Sequence, residues 1–292
     1  MIDLLSGSGD AVAATPSARD VYDVRFDLGH HFRLFDRPGA FRVSPAGRAL
    51  GNHLVHQLRE DEITGRILEV GTGSGAIALL LRSMGATSIT ATDISAAAAD
   101  TARRNELANF GDAKIDFRHA DLFPGPGQDG RYDLIVFNPP GWRAPSDTLK
   151  GRLEGKRNFL DLEAMFYGDR VLLRFLRQLP DHLAEGGRAV IGLNSLLGIA
   201  DLFDSCRSAH RQQGDVALHS KVLERTEFPL LFYTEEWREV RDCLLAQFEQ
   251  GRRNYAATYT TKGDDIHWFY EITEVTVEAL TKDLVKSVPG HE

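Results

Sequence analysis

The chain has 292 residues, 42% hydrophobic and 26% charged, and a formal net charge of −8 from 34 Lys and Arg against 42 Asp and Glu. That size and balance fit one large α/β domain with appendages. The longest strictly apolar run, "AIALLL" at 76–81, is far too short to cross a bilayer, so no membrane partner is expected. The acidic excess disfavours nucleic acid, whose phosphates are bound mainly by Lys and Arg.

Residues 1 to about 20 are rich in Gly, Ser, Ala and Asp without apolar periodicity and read as a loose tail. No basic segment stands ahead of a sustained apolar one there, so a secretory signal is not expected and a cytoplasmic location is the default. Ser44 and Pro45 then have the character of an N-cap and first helical residue, followed by Leu50, Leu54, Val55 and Leu58 at helical spacing. From Arg66 strand and helix patterns alternate. Strands are predicted in "RILEV" (66–70), "SITAT" (88–92), "AKIDFRH", "YDLIVF" (132–137) and "GRAVIGL" (187–193). Helices are predicted from "SGAIALLLRSMG", from "SAAAADTARRNELAN" capped by Ser95, and from a long segment starting at Asp161 and kinked or ended near Pro180. Later elements are a helix around 196–210, a strand near 216–224, a Glu-rich helix around 235–250 and a final strand at 265–275. Cys206 and Cys243 lack metal-ligand spacing and read as reduced thiols; the ten histidines suggest no metal site.

The first strand-to-helix turn is "EVGTGSG", from Glu69 to Gly75. Glycines let a backbone turn sharply and let a ligand approach it, while the following helix offers free N–H groups to an anionic group. Asp93, at the end of the second strand, is placed to accept from ribose hydroxyls. The turn also satisfies the dinucleotide pattern GxGxxA, so these two features point only to an adenosine-type cofactor.

The rest of the set separates the readings. "EVGTGSG" resembles the first motif of the class I S-adenosylmethionine-dependent methyltransferases. The resemblance implies that Gly71, Thr72 and Gly73 lie along the methionine part, with Gly75 completing the motif and Glu69 helping to hold the ammonium group. It implies that Ile94 packs on the adenine face beside Asp93. In "ADLF" (120–123), Asp121 would accept from the adenine amino group and Leu122 would touch the ring edge. "NPPGW" (138–142), ending the fourth strand, resembles the NPPY motif of amino- and amide-nitrogen methyltransferases, most closely the glutamine-amide methyltransferases of release factors. The implied fold is a doubly wound, Rossmann-like sheet of seven strands, with residues 1–60 as an N-terminal, partly helical substrate-side segment. Residues 61–292 would form the catalytic domain, with an insertion at about 225–265.

Two carbonyls at that corner, on the Asn138 side chain and the Pro139 main chain, can hold both hydrogens of an NH2 group and aim its lone pair at a sulfonium methyl. An oxygen nucleophile has no second hydrogen to give, so the corner points to nitrogen. Gly141 stands where the family has its tyrosine, and Trp142 is expected to supply a π face instead or Gly141 to open room.

Only about 60 residues precede the first motif, whereas roughly 100 follow the fifth strand. The expected acceptor is therefore a small amino-acid-like nitrogen compound, a cationic one such as arginine included. It would be held by carboxylates among Glu224, Glu227, Glu235, Glu236, Glu239 and Asp242 and by cations among Arg143, Lys150, Arg152, Lys156 and Arg157. The alternative is a glutamine amide in a protein.

Overall fold

The computed structural model describes residues 21–125, 130–154, 165–213, 216–230, 238–263 and 265–279. The expected tail at 1–20 and the residues Lys156, Arg157, Glu235 and Glu236 lie outside them.

The chain enters with an antiparallel hairpin that the sequence reading did not anticipate, β1 (Val21–Arg25) and β2 (His31–Phe35). Its strands follow a short alternation, with Val24, Phe32 and Leu34 buried, and its turn holds Leu28 and Gly29 at positive φ. A strap at 36–44 leads to α1 (Pro45–Gln57), where the Ser44 hydroxyl accepts from the Gly47 N–H at 3.0 Å as its residue type predicts. A short helix α2 (Glu60–Thr64) then delivers the chain to the main sheet.

That sheet begins with β3 (Ile67–Val70), α3 (Ala76–Ser83), β4 (Ile89–Asp93), α4 (Ala96–Phe110), β5 (Asp116–His119) and β6 (Tyr132–Phe137). The corner loop and α5 (Asp147–Leu153) follow, then α6 (Gly168–His182) and β7 (Leu183–Asn194). The chain closes with α7 (Ile199–Gln213), β8 (Val216–Pro229), α8 (Arg241–Tyr255), β9 (Tyr259–Lys262) and β10 (Asp265–Ala279). The strand order is β5-β4-β3-β6-β7-β10-β8, with β9 added on β10. The strands from β5 to β7 are parallel, and β10 runs antiparallel to both β7 and β8. The seven strands expected from the sequence are all in this sheet; β9 is an eighth.

Period-two alternation divides the strand residues between two cores. Ile67, Leu134, Val136 and Val190 belong to the cluster containing α1 and α3, whereas Leu68, Ile135, Phe137 and Ile191 belong to the cluster with α6 and α7. Both faces of the parallel region are thus covered, as such sheets require. A third cluster joins Trp142, Leu149 and Phe166 to Val240, Leu244, Phe248 and Ile266, fastening the late-chain segment to the corner loop.

Several boundaries moved. The described part of the long helix runs from Gly168 to His182, carries Pro180 inside it, and passes directly into a β7 that starts ahead of Gly187. The late helix lies at 241–255, because β8 and its paired strand β10 are longer than their apolar cores suggested. Antiparallel pairing extends them by backbone hydrogen bonds, which residue polarity does not record.

Candidate active site

The glycine-rich turn joins β3 to α3 with Gly71, Gly73 and Gly75 at φ +68, +55 and +84, the left-handed region that glycine enters without steric cost. A Cβ on Gly75 would stand 2.8 Å from the Cβ of Ala102, so this glycine also lets α4 pack against the turn. Glu69 is buried beneath it: one carboxylate oxygen accepts from the Thr72 hydroxyl at 2.6 Å and from the Ala78 N–H at 3.0 Å. Burial pushes its pKa up to about 8, against the opposing pull of those two donors. Glu69 therefore braces the turn onto the first turn of α3 through one oxygen, beneath the turn expected to carry the methionine part. Thr72 is buried in the same brace.

Asp93 closes β4 and binds the turn through both oxygens, accepting from the Gly73 N–H and the Ser95 N–H, each at 2.8 Å. Burial raises its pKa, partly offset by those two amides. Ionised, it keeps lone pairs for ribose hydroxyls. Ile94, beside it, is 68% exposed, an uncovered apolar face at the carboxyl ends of the strands. A carboxylate, an apolar face and a glycine turn at one rim fit an adenosine-containing cofactor.

Two expected contacts are placed differently. Asp121 is exposed and ion-paired to Arg174 at 2.5 Å, so an adenine amino group would compete with a guanidinium for it. Leu122 is buried in the α6-side core at φ +65, and its carbonyl accepts from the Thr92 hydroxyl at 2.6 Å.

The strap closes the outer side of this rim. The Phe41 carbonyl lies 3.5 Å from where a Gly73 Cβ would stand, the Ser95 hydroxyl donates to the Gly39 carbonyl, and the Tyr22 hydroxyl donates to Ser74 Oγ.

The corner "NPPGW" leaves β6 one strand away from the turn. Asn138 is exposed and Pro139 buried. The Asn138 Oδ1 accepts from the Tyr270 hydroxyl on β10 at 2.7 Å, and its Nδ2 lies 3.5 Å from where a Cβ on Gly47 of α1 would stand. The Pro140 carbonyl is packed against Gly168, where a Cβ would come within 1.9 Å of it. The corner is thus gripped by α1, α6 and β10.

Trp142 is buried, with its ring edge-on to Phe166 at 5.3 Å and to Phe248 at 5.6 Å. This corrects the expected π face: the ring anchors the late-chain segment. The room at Gly141 is filled from β7, because its Cβ would meet the Asn194 amide nitrogen at 2.9 Å.

Three of the charged residues assigned to substrate are engaged elsewhere. Glu224 pairs with His53 at 2.9 Å, Glu227 with Lys262 at 2.9 Å, and Arg143 with Asp201 at 2.6 Å while lying over the Tyr255 ring. Among the described residues no group of three or more His, Cys, Asp or Glu could hold a metal ion, and no helix is long and apolar enough to cross a membrane.

Residues 33–150 match the family described as the methyltransferase small domain. The chain is 35% identical over 181 residues to a release factor glutamine methyltransferase of Bacteroides thetaiotaomicron, covering 58% of this chain and 60% of that protein. The chain thus resembles the release-factor glutamine methyltransferases over part of its length. A second such protein, from Rhodopirellula baltica, is 28% identical over 74% of both chains. A ribosomal RNA small subunit methyltransferase C of Serratia proteamaculans is 26% identical over 67% of this chain and 50% of its own length. The chain spans less than two thirds of the Bacteroides and Serratia proteins. Family and rim together make S-adenosylmethionine the cofactor, bound by a class I methyltransferase fold.

These relatives correct the expected partners. Their names point to proteins and to ribosomal RNA, so a small-molecule acceptor with nucleic acid excluded does not stand. Net charge is a sum over the chain, whereas a macromolecule meets only one face of it.

Proposed function

We propose that this protein is an S-adenosylmethionine-dependent N-methyltransferase whose acceptor is the side-chain amide of a glutamine in a protein, a release factor or a ribosomal protein. The observation that carries the reading is Asn138, Pro139 and Pro140 at the carboxyl end of β6, one strand from the glycine turn and with the Asn138 amide locked in place.

The bound cofactor supplies a methyl group on a sulfonium, with a neutral thioether as leaving group. The chain's own task is to hold the nitrogen in line, which in favourable systems contributes about 7–11 kcal/mol. A glutamine amide nitrogen is a poor nucleophile, because its lone pair is delocalised into the carbonyl. Asn138 Oδ1 and the Pro139 carbonyl are suited to accept its two N–H bonds, localising the lone pair and interacting more strongly as positive charge develops. Asp93 and Ile94 would hold the adenosine end, and Glu69 stiffens the turn that carries it. The second hydrogen of an NH2 group favours nitrogen over oxygen as the methylated atom.

Incubation with methyl-labelled cofactor and, in separate reactions, a release factor, ribosomal protein uL3 and 16S ribosomal RNA tests the assignment. Mass spectrometry should place the label on a glutamine side chain. Label confined to RNA, or on oxygen, would overturn it. Asn138→Ala should lower the rate about 100- to 1000-fold while leaving S-adenosylhomocysteine affinity within about twofold in calorimetry, since one positioned hydrogen-bonding group at a reacting centre is worth that much.

A further inference from the structure

We infer that Tyr270 is a positioning residue for methyl transfer: its hydroxyl, delivered by the antiparallel strand β10, sets which end of the Asn138 amide meets the acceptor. This rests on the function proposed above. The hydroxyl donates to Asn138 Oδ1 at 2.7 Å across 132 residues of sequence, and Tyr270 is only 3% exposed.

The contact has a directional consequence. An asparagine amide has two ends of similar size and opposite hydrogen-bonding sense. With Oδ1 toward Tyr270, the hydroxyl proton is satisfied and the oxygen retains a second lone pair for an incoming N–H. With the amide reversed, Nδ2 would donate to the hydroxyl oxygen and the buried hydroxyl proton would lose its Asn138 acceptor, a costly state in a low-dielectric site. Burial also raises the tyrosine pKa, so the group stays protonated and stays a donor. A hydroxyl that cannot ionise thus selects the amide orientation with an acceptor facing the substrate side, where Asn138 is exposed.

Two further features are arranged around that hydroxyl. Gly192 on β7 lies where a Cβ would come within 1.7 Å of the Tyr270 oxygen and 3.0 Å of Asn138 Oδ1, so a glycine there makes room for the pair. Trp268 stands edge-on to the tyrosine ring at 6.2 Å and 90°, and Phe228 edge-on at 6.4 Å and 66°, holding the ring from the β8 side. Tyr270 opposes Asn194 in the β10–β7 register, so the same rung of the sheet carries the residue that fills the space over Gly141.

The test compares wild type, Tyr270→Phe, Gly192→Ala and the double variant, with whole release factor as acceptor. Tyr270→Phe should lower kcat about 10- to 100-fold with S-adenosylhomocysteine affinity unchanged within twofold, the scale expected when a reacting group is misplaced rather than removed. Gly192→Ala, whose Cβ would stand 1.7 Å from the Tyr270 oxygen and 2.4 Å from the ring carbon that bears it, should produce a loss at least as large, and the double variant little more than Gly192→Ala alone, because displacing the ring already removes the hydroxyl contact that Tyr270→Phe deletes. In 15N spectra, the Asn138 side-chain amide pair, assigned by its disappearance in Asn138→Asp, should shift or broaden in Tyr270→Phe. A Phe variant with wild-type kcat overturns the inference, as does a rate loss that merely follows lost cofactor affinity. If the wild-type protein methylates no glutamine, the functional reading fails separately; the amide signal then decides, and its constancy in Tyr270→Phe overturns the positioning role.

Discussion

Asp93 shows how much a single side chain can be asked to do. It ties the glycine turn to the start of α4 through the Gly73 and Ser95 amides while leaving acceptor capacity at the rim. Asp93→Ala should weaken S-adenosylhomocysteine binding about 10- to 100-fold in calorimetry, the range for losing charge-assisted hydrogen bonds. Cys206 lies at the other extreme. It is fully buried, and burial pushes its thiol pKa up to about 11, so it behaves as a small apolar residue and not as a nucleophile.

At the scale of elements, several joints are made by buried polar groups. Pro180 has no N–H to give the Leu176 carbonyl, and the buried His210 of α7 meets that carbonyl at 3.3 Å. The Arg188 guanidinium on β7 takes both oxygens of Glu62 on α2 and also reaches Glu274 on β10 at 2.8 Å, binding three elements through a largely buried charge. Removing Glu62 leaves the largely buried Arg188 with Glu274 as its remaining carboxylate partner, so Glu62→Ala should cost about 1.5–3 kcal/mol in urea unfolding, the range for losing hydrogen bonds to a charged group. A charge-swapped pair would not restore it, because Glu274 would then face a carboxylate. The corner loop is held in the same manner by apolar contacts, Trp142 wedged between Phe166 and Phe248.

For the whole molecule, the parallel strands set the glycine turn and the Asn138 corner side by side at their carboxyl ends, and Glu69 lies buried between the strand and helix that carry the turn. This carboxyl gives stability an acid-favoured component. Its folded pKa of about 8 lies above its model-peptide value of 4.5, so the folded state holds a proton that the unfolded chain releases between those values. Its contribution is greatest below about pH 4.5, falls as pH rises, and levels off above about pH 8. Between pH 5 and pH 8 the cofactor-free Glu69→Gln variant should gain on wild type by up to roughly 4 kcal/mol in unfolding free energy, at 1.36 kcal/mol per pKa unit. Equal pH slopes for the two proteins would contradict this.

Strands β3, β4 and β6, the Ser44 and Ser95 caps, the glycine turn and the Asn138 corner were legible in the sequence, because each depends on local chemistry: apolar alternation, a capping hydroxyl, a backbone that only glycine or proline can shape. Those local rules also bounded the cofactor class. They could not foresee the entry hairpin, whose strands are short and partly exposed, or β9, a four-residue strand that exists only by pairing with β10. Nor could they tell that Trp142 turns into the core, that Asn194 occupies the space over Gly141, or that Tyr270 reaches Asn138. Such contacts join residues far apart in the chain, and their existence depends on strand order, register and the volume left by neighbours, quantities that take values only when the sheet has closed.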